Sequence, residues 1–217
     1  MPVCRPCLTK AEPLAADYFC VQCRTPFANS FPLDENGVCP LCRLGLRGFD
    51  AAYCYGAYEG TLRQLIHLFK YGRVKTLARP LGNYLALAIP REQRFDAIVP
   101  MPLHWRRRWQ RGFNQSALLA NEIARRSSVP VLCAVRRVRA TRPQAGLSNT
   151  ERQTNIARAF RVRRRRLVEG RRVLLIDDVM TTGATAAACA RALRDAGAKY
   201  VALLTLARVD RRGGISA

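Results

Sequence analysis

The stretch Val173-Leu174-Leu175-Ile176-Asp177-Asp178-Val179-Met180-Thr181-Thr182-Gly183-Ala184-Thr185 decides the fold. Its first four residues are apolar and predict a short strand that is buried on both faces, as in a parallel sheet. Two adjacent carboxylates follow at the point where this strand is expected to end. A helical pattern then covers residues 184–196 and ends at Gly197, a residue type that often terminates helices. The stretch therefore predicts an α/β fold with polar side chains at the end of a parallel strand.

The chemistry of these side chains suits a phosphorylated sugar. A helix N-terminus offers free N–H groups and the positive end of its dipole to an anion. Asp177 and Asp178 can accept hydrogen bonds from the two cis hydroxyls of a ribose. They would also stabilise positive charge that develops on the sugar ring as a leaving group departs. The candidate phosphate-binding residues, which supply hydroxyl groups and a close backbone approach, are Thr181, Thr182, Gly183, Ala184 and Thr185.

The complete run resembles the phosphoribosyl-pyrophosphate (PRPP) motif of type I phosphoribosyltransferases. On this resemblance Asp177 and Asp178 are the catalytic candidates. The alternative is an acidic strand end followed by a capped helix, with a purely structural role. Neither G-x-x-x-x-G-K-[ST] nor G-x-G-x-x-G after a strand occurs, so the sequence does not support a P-loop or a dinucleotide-binding fold.

Length and composition fit a globular α/β protein. The chain has 217 residues, of which 49% are hydrophobic. This is enough for one medium-sized domain with a packed core and a small appendage. No run approaches the ~18 consecutive apolar residues of a membrane span. The first residues contain no apolar segment of a signal peptide, so we expect a cytoplasmic protein with no membrane span.

The charge balance is strongly basic, with 37 Lys and Arg against 15 Asp and Glu and a formal net charge of +22. Such a charge favours polyanionic partners, including nucleic acid, nucleotides and acidic lipid. The alternative is an arginine-rich proteome, in which Arg replaces Lys throughout. The sign of the charge is thus a firmer prediction than the partner.

Six of the nine cysteines form three C-x-x-C pairs near the N-terminus. In a cytosolic chain such pairs are better explained by metal binding than by disulfides. Two pairs complete a tetrahedral Zn²⁺ site, and the later two pairs have zinc-ribbon spacing. The first pair is also correctly spaced from the second, so two pairings are open. The preferred ligands are Cys20, Cys23, Cys39 and Cys42, with Cys4 and Cys7 as a further candidate pair.

These cysteines define a predicted domain division. Residues 1–48 are expected to form a cysteine-rich zinc-binding module that is folded by its metal, and residues 49–217 the main domain. No His or carboxylate lies at ligand spacing, so a structural metal is favoured over a catalytic one. Buried cysteines without metal are the alternative.

A second unusual feature is the basic loop of residues 101–116, which follows a predicted strand. Open α/β sheets bind ligands at this end of their strands. Arg107 and Arg111 could clamp pyrophosphate with paired hydrogen bonds. The interleaved aromatic residues could instead stack on unpaired bases. A solvated basic loop with its aromatic side chains tucked inward is the alternative.

In this loop and elsewhere the chain resembles the ComF family, also called the amidophosphoribosyltransferase-like competence proteins. The resemblance covers essentially the whole chain, because the cysteine pairs and the PRPP-type motif occur in the family's order. The matching stretches are His67-Leu68-Phe69-Lys70-Tyr71-Gly72, Val99-Pro100-Met101-Pro102-Leu103-His104, Arg107 and Arg111-Gly112-Phe113-Asn114-Gln115. Further matches are Thr141, Gln144, Leu147, Arg152, Asn155 and Ala159-Phe160.

The resemblance implies a Rossmann-like parallel sheet flanked by helices, of the type I phosphoribosyltransferase kind, with an N-terminal zinc-ribbon-like module. It also implies PRPP with Mg²⁺ as the ligand, with Lys70 among the phosphate-binding residues. A role in natural transformation or in the use of external DNA follows, with DNA-uptake machinery as a partner. Some relatives carry four C-x-x-C pairs where this chain has three, which weakens the metal role of Cys4 and Cys7.

Two other segments carry predictions. Residues 139–149 have turn chemistry and no periodicity, as a mobile lid over a phosphate site would have. In phosphoribosyltransferases a flexible loop from this part of the chain covers PRPP, and the resemblance implies that role for residues 141–153. Residues 161–166 form a dense run of charge, which predicts either a solvated surface or a track for a nucleic-acid backbone.

Two functional hypotheses result. The first is a Mg²⁺-dependent phosphoribosyltransferase that displaces pyrophosphate from PRPP, although no general base and no acceptor pocket can be identified in the sequence. The second is a cytosolic protein that handles single-stranded DNA, in which the phosphoribosyltransferase fold is regulatory or non-catalytic. The two are compatible, and we expect both PRPP binding and contact with single-stranded DNA.

Overall fold

A computed structural model describes residues 3–30, 32–103, 112–138 and 159–209. In chain order the helices are α1 (Arg5–Thr9), α2 (Pro40–Arg43), α3 (Gly60–Lys70), α4 (Ala78–Ala88), α5 (Gln115–Ser127) and α6 (Ala184–Asp195). The strands are β1 (Tyr18–Phe19), β2 (Pro26–Phe27), β3 (Ala51–Ala57), β4 (Ala97–Pro100), β5 (Val135–Arg137), β6 (Phe160–Val162), β7 (Arg172–Met180) and β8 (Tyr200–Arg208).

The main sheet is parallel, with strand order β3-β8-β7-β4. Residues 173–176 of β7 lie between two neighbouring strands and are almost inaccessible to solvent, as their apolar run predicted. Two antiparallel pairs, β1-β2 and β5-β6, complete the strands of the described residues.

The sequence analysis placed the end of β7 at the two carboxylates, and that prediction was wrong. The strand continues through both carboxylates to Met180, because β8 pairs with it along its whole length. Asp177 lies opposite Thr205, and Val179 lies opposite Ala207. The acidic pair is therefore held inside a hydrogen-bonded ladder rather than in a loop after it.

The sheet separates two apolar layers, which confirms the predicted α/β class. On one face, α3, α4 and α5 bury a stripe that includes Leu65 and Phe69 against Leu174 of β7. On the other face, α6, the β5-β6 pair and the cysteine-rich segment pack against Leu175 of the same strand. Residues 173–176 of β7 thus alternate between the two layers, as the pleat of a strand requires.

The cysteine-rich segment shares the second layer with the main sheet. The side chains of Phe27 and Phe49 are buried, and they belong to the same apolar cluster as Leu193 of α6. At Gly48 the backbone lies so close to α6 that an added Cβ would be 2.0 Å from the carbonyl oxygen of Ala187. The segment is packed on the main domain, while the division at residue 48 stays a prediction.

Within the described ranges, no helix has both the length and the apolar character needed to cross a membrane.

Candidate functional site at the carboxyl edge of the sheet

A buried ion pair joins α3 to β7. Lys70 Nζ lies 2.8 Å from Asp178 Oδ1, and the two side chains keep only 12% and 11% of their surface exposed. Lys70 is the last residue of α3, where a cation also interacts favourably with the helix dipole. A carboxylate buried to this extent needs a partner, because desolvation penalises an unpaired charge. The C-terminus of α3 supplies that partner.

The neighbouring carboxylate, Asp177, is held by α5. Ser116 Oγ donates to Asp177 Oδ1 at 3.1 Å, and the same oxygen accepts from the backbone N–H of Asp178 at 2.9 Å. Burial, followed by the repulsion of the Asp178 charge, raises the pKa of Asp177 to about 7. A single strand thus presents one carboxyl group that is paired with a cation and one that titrates near neutral pH.

The start of α5 places Ser116 in this position. Asn114 caps the helix by accepting from the backbone N–H of Ser116 at 3.0 Å. Its Nδ2 donates to the carbonyl oxygen of Met101 at 3.0 Å, which ties the cap to the segment that follows β4. The sequence predictions did not include Ser116 or Asn114 among the site residues. The Asn-x-Ser order, which can cap a helix, was the available signal.

The residues after β7 form an open loop in front of α6. Gly183 has a φ of +78°, a left-handed conformation that favours glycine, and it is the N-cap of the helix. Thr181, Thr182 and Thr185 are exposed, and the hydroxyl oxygen of Thr182 accepts a hydrogen bond from the backbone N–H of Ala184 at 3.4 Å. Exposed hydroxyl groups and the free N–H groups of a twelve-residue helix together can bind a phosphate group.

This loop touches the cysteine-rich segment. A Cβ added at Gly183 would lie 3.3 Å from Leu41 Cδ2 in α2 and 3.5 Å from Met180 Sδ. A larger residue would be strained by its φ and crowded by α2. The phosphate-binding candidate and the cysteine-rich segment are therefore in direct contact.

The four preferred cysteines converge in one buried cluster. The sulfur atoms of Cys20, Cys23, Cys39 and Cys42 all lie within 4.8 Å of one another. The Cys20–Cys42 and Cys23–Cys39 sulfur distances are 3.8 and 3.7 Å. Zn–S bonds of about 2.3 Å in a regular tetrahedron place sulfur atoms about 3.8 Å apart. The donor set and its spacing therefore fit a metal such as zinc.

The thiols of this cluster differ in pKa. Hydrogen bonding from Cys39, opposed by burial and assisted by Thr25, lowers the pKa of Cys23 to about 5. Burial and the nearby Cys23 thiolate raise the pKa of Cys42 to about 12. The backbone N–H of Cys39 also points to Cys20 Sγ at 3.4 Å. The hydrogen bonds to Cys23 favour its thiolate, which is the metal-binding form of cysteine, whereas binding of a metal at Cys42 would have to displace a proton.

The first cysteine pair lies elsewhere. Cys4 and Cys7 are exposed, with their sulfur atoms 3.1 Å apart, and neither belongs to the four-cysteine cluster. The alternative pairing with Cys20 and Cys23 therefore finds no support in the described residues.

Several predicted residues lie outside the described ranges. These are Arg107 and Arg111 of the basic loop and the predicted lid at residues 141–153.

Comparisons with known proteins agree with this architecture. The family model described as "Phosphoribosyl transferase domain" matches residues 114–215. Competence protein F of Haemophilus influenzae is 30% identical over 88% of this chain and 97% of its own length. DNA utilization protein YhgH of Escherichia coli K12 is 38% identical over 70% of this chain and 69% of its own length.

Among solved structures, glutamine PRPP amidotransferase from B. subtilis, complexed with ADP and GMP, has a TM-score of 0.44 and 23% sequence identity. That similarity covers 60% of this chain and 26% of the amidotransferase.

The parallel sheet and the matched domain define a phosphoribosyltransferase-like α/β protein with a four-cysteine cluster. Within this class, the match to competence protein F is long enough to identify the family, because it covers 97% of that protein. The chain belongs to the ComF family, as its sequence motifs predicted.

The raised pKa of Asp177 predicts a pH-dependent stability. The native state keeps a proton that the unfolded chain releases above its ordinary pKa of 3.8. The contribution of this group is therefore complete below about pH 4 and is lost as the pH rises to about 7. Relative to Asp177→Asn, which cannot titrate, the ligand-free wild type should lose up to about 4 kcal/mol over this window.

Urea denaturation of both proteins at several pH values measures this difference. Asp195→Asn, at the exposed far end of α6, is the matched control and should follow the wild type. Parallel stability profiles for wild type and Asp177→Asn would show that the carboxyl group titrates normally.

Proposed function

We propose that this protein binds PRPP together with Mg²⁺ at the carboxyl edge of its sheet and acts in the uptake or use of DNA. The observation that carries the proposal is that α5 and α3 hold Asp177 and Asp178 near the end of β7, directly before the loop of residues 181–185. In a sugar phosphate, the two carboxylates would bind the sugar hydroxyls and the helix N-terminus would bind the phosphate group. Transfer chemistry is a further step, which depends on an acceptor.

Each group has a distinct role in the proposed complex. The hydroxyl groups and N–H groups at the start of α6 bind the 5′-phosphate, and the acidic pair accepts hydrogen bonds from the ribose hydroxyls. Lys70 orients Asp178 through their ion pair and lies near the pyrophosphate. Mg²⁺, when bound with PRPP, neutralises the pyrophosphate charge. Arg107 and Arg111 are proposed to hold the pyrophosphate from the basic loop.

The proposed link to DNA rests on two supports. Two similar proteins carry the names competence protein F and DNA utilization protein. The net charge of +22 also suits a polyanion. We place this activity in the cytoplasm, where thiols stay reduced for metal binding, and we propose components of the DNA-uptake machinery as partners.

Calorimetric titration of PRPP into the full chain, with and without Mg²⁺, tests the first part. We expect saturable binding that requires the metal and is lost in Asp177→Asn/Asp178→Asn, because the ribose contacts and the ion pair are both removed. Asp195→Asn should bind like the wild type, since it lies at the opposite end of α6. Folded protein that shows no heat of binding, or a double variant that binds normally, would refute the proposed site.

We also propose that the four-cysteine cluster holds one structural Zn²⁺, and that residues 1–48 fold around it. A purified chain should contain about one zinc, as expected for a closed site with four thiolate ligands. Cys39→Ser should lose most of this zinc, while the exposed Cys133→Ser should keep it. Strong chelation should expose residues 1–48 to proteolysis before the rest of the chain.

Retention of zinc by Cys39→Ser would exclude the cluster as its site. Loss of zinc in Cys4→Ser would instead implicate the exposed pair.

A second activity, binding of single-stranded DNA, is favoured by the arginines of β6 and the turn after it. Arg161 and Arg163 to Arg166 are all exposed. Arg161 is also directly opposite Arg136 in the β5-β6 ladder. Like charges in this position destabilise a strand pair, and a bound polyanion would relieve the repulsion. We propose that this surface follows the phosphate backbone.

The salt dependence of binding to an oligonucleotide tests this surface. For Arg161→Gln/Arg163→Gln/Arg164→Gln we expect weaker binding and a log–log salt slope smaller by about 2, since each single-strand phosphate contact contributes about 0.7. The control Arg63→Gln/Arg79→Gln/Arg91→Gln removes the same charge from exposed positions on or near α3 and α4. An equal loss in both triple variants would mean that net charge, and not this surface, drives binding.

A further inference from the structure

Two cysteines near the N-terminus, Cys4 and Cys7, belong neither to the four-cysteine cluster nor to the proposed PRPP site. Cys4 is the N-cap of α1, and Cys7 lies within that short helix. Both are exposed, and their sulfur atoms are 3.1 Å apart. Residues three positions apart lie on the same side of a helix, so the backbone of α1 itself holds the two thiols together.

The pair and the four-cysteine cluster lie on opposite faces of the main sheet. Val3 and Leu8, which flank the pair, pack against the apolar layer of α3, α4 and α5. Tyr84 Oη donates to the carbonyl oxygen of Leu8, and Tyr55 Oη donates to that of Ala11 at 2.7 Å. The clustered cysteines belong to the other layer. The pair is therefore a separate site that the cluster cannot complete.

The pair does not form a full set of metal ligands within the chain. Among the residues that the structure describes, no third cysteine, histidine or carboxylate joins it in a group that could hold a metal. Zinc sites in proteins usually have three or four protein ligands. The other chemistry of C-x-x-C pairs is reversible disulfide formation, and disulfides in reducing compartments are usually transient ones of this kind.

Closure of a disulfide between the two thiols needs little movement. The sulfur atoms of a disulfide are about 2.05 Å apart, so those of Cys4 and Cys7 must approach by about 1 Å. Rotation about the side-chain bonds of two exposed residues can supply this distance. Pro6 lies between them and has its φ fixed by its ring, which limits the backbone freedom that is lost when the disulfide closes.

The two thiols are also unequal. The hydrogen bond between their side chains lowers the pKa of Cys4 and raises the pKa of Cys7. The thiolate is the form of cysteine that attacks a disulfide. Cys4 is therefore suited to make the first attack, and Cys7 is suited to react second.

We propose that Cys4 and Cys7 form a redox-active dithiol that is oxidised reversibly by the disulfide of a small thiol, RS–SR. The Cys4 thiolate attacks one sulfur atom and forms a mixed disulfide, and the first RS⁻ leaves with the electron pair of the broken S–S bond. Cys7 then loses its proton and attacks Cys4 Sγ, which forms the Cys4–Cys7 disulfide and releases the second RS⁻. The dithiol loses two electrons and two protons, and RS–SR takes them up as two molecules of RSH.

Oxidised glutathione is a suitable probe for the full chain, purified under reducing conditions and then freed of reductant. Thiol titration and peptide mass mapping identify the cysteines that react, and a chromogenic chelator detects any release of zinc. We expect the loss of two free thiols, a disulfide between Cys4 and Cys7, and no release of zinc, because the four-cysteine cluster is on the other face of the sheet. An excess of a dithiol reductant should restore both thiols.

Two variants test the order of the steps. Cys7→Ser removes the second thiol, so a stable glutathione adduct should accumulate on Cys4. Cys4→Ser should form neither the disulfide nor a comparable adduct on Cys7, whose pKa is raised in the wild type. Cys133→Ser, at another exposed cysteine, is the matched control and should form the Cys4–Cys7 disulfide like the wild type. Circular dichroism spectra equal to that of the wild type would show that the variants are folded.

Three results would overturn the proposal. The first is a wild-type chain in which Cys4 and Cys7 stay reduced under these conditions. The second is a wild-type chain in which both carry lasting glutathione adducts, since this would show that the thiols do not react with each other. The third is loss of zinc from Cys4→Ser as purified, which would make the pair a metal site. Wild-type disulfide formation beside a trapped adduct in Cys7→Ser is the expected result, and it does not depend on the proposed PRPP site.

Discussion

The ion pair between Lys70 and Asp178 is the constraint on which the site depends. Removing either partner would leave a buried charge unpaired, at a cost of about 3–5 kcal/mol. The pair fixes the C-terminus of α3 over the end of β7. Asp177 forms no ion pair with the described residues, and burial raises its pKa. Two adjacent residues of the same type thus acquire different properties from the helices above them.

Much of the fold could be predicted because its signals are local. The apolar run at residues 173–176 is buried on both faces, and the pattern of α3 places Leu65 and Phe69 in the core. The end of β7 could not be predicted, because polar residues suggest a strand end while pairing with β8 carries the strand on to Met180. Propensity is local, and this ladder is formed with a strand that comes twenty residues later in the chain.

The candidate site was predicted only in part, for a similar reason. Asp177, Asp178 and Gly183 belong to one continuous motif, so the sequence alone brings them together. Ser116 reaches Asp177 across 61 positions of sequence, and no periodicity encodes that contact. The sequence also gives no sign of the contact between Phe27 and Arg208. These residues meet only when the cysteine-rich segment packs on the end of β8. Contacts between segments that are distant in the sequence complete the candidate site, and a local motif does not encode them.

The cysteine-rich segment lies against the candidate site. Leu41 lies two residues from Cys39 and one from Cys42, and it contacts the region of Gly183. A metal bound by the four cysteines would therefore also position the surface that lies against the candidate phosphate-binding loop. If a metal contributes free energy to the folding of the segment, that free energy would be linked to ligand binding at the loop, and such linkage is reciprocal. A ligand that orders the loop against α2 must, to the same extent, strengthen the binding of the metal.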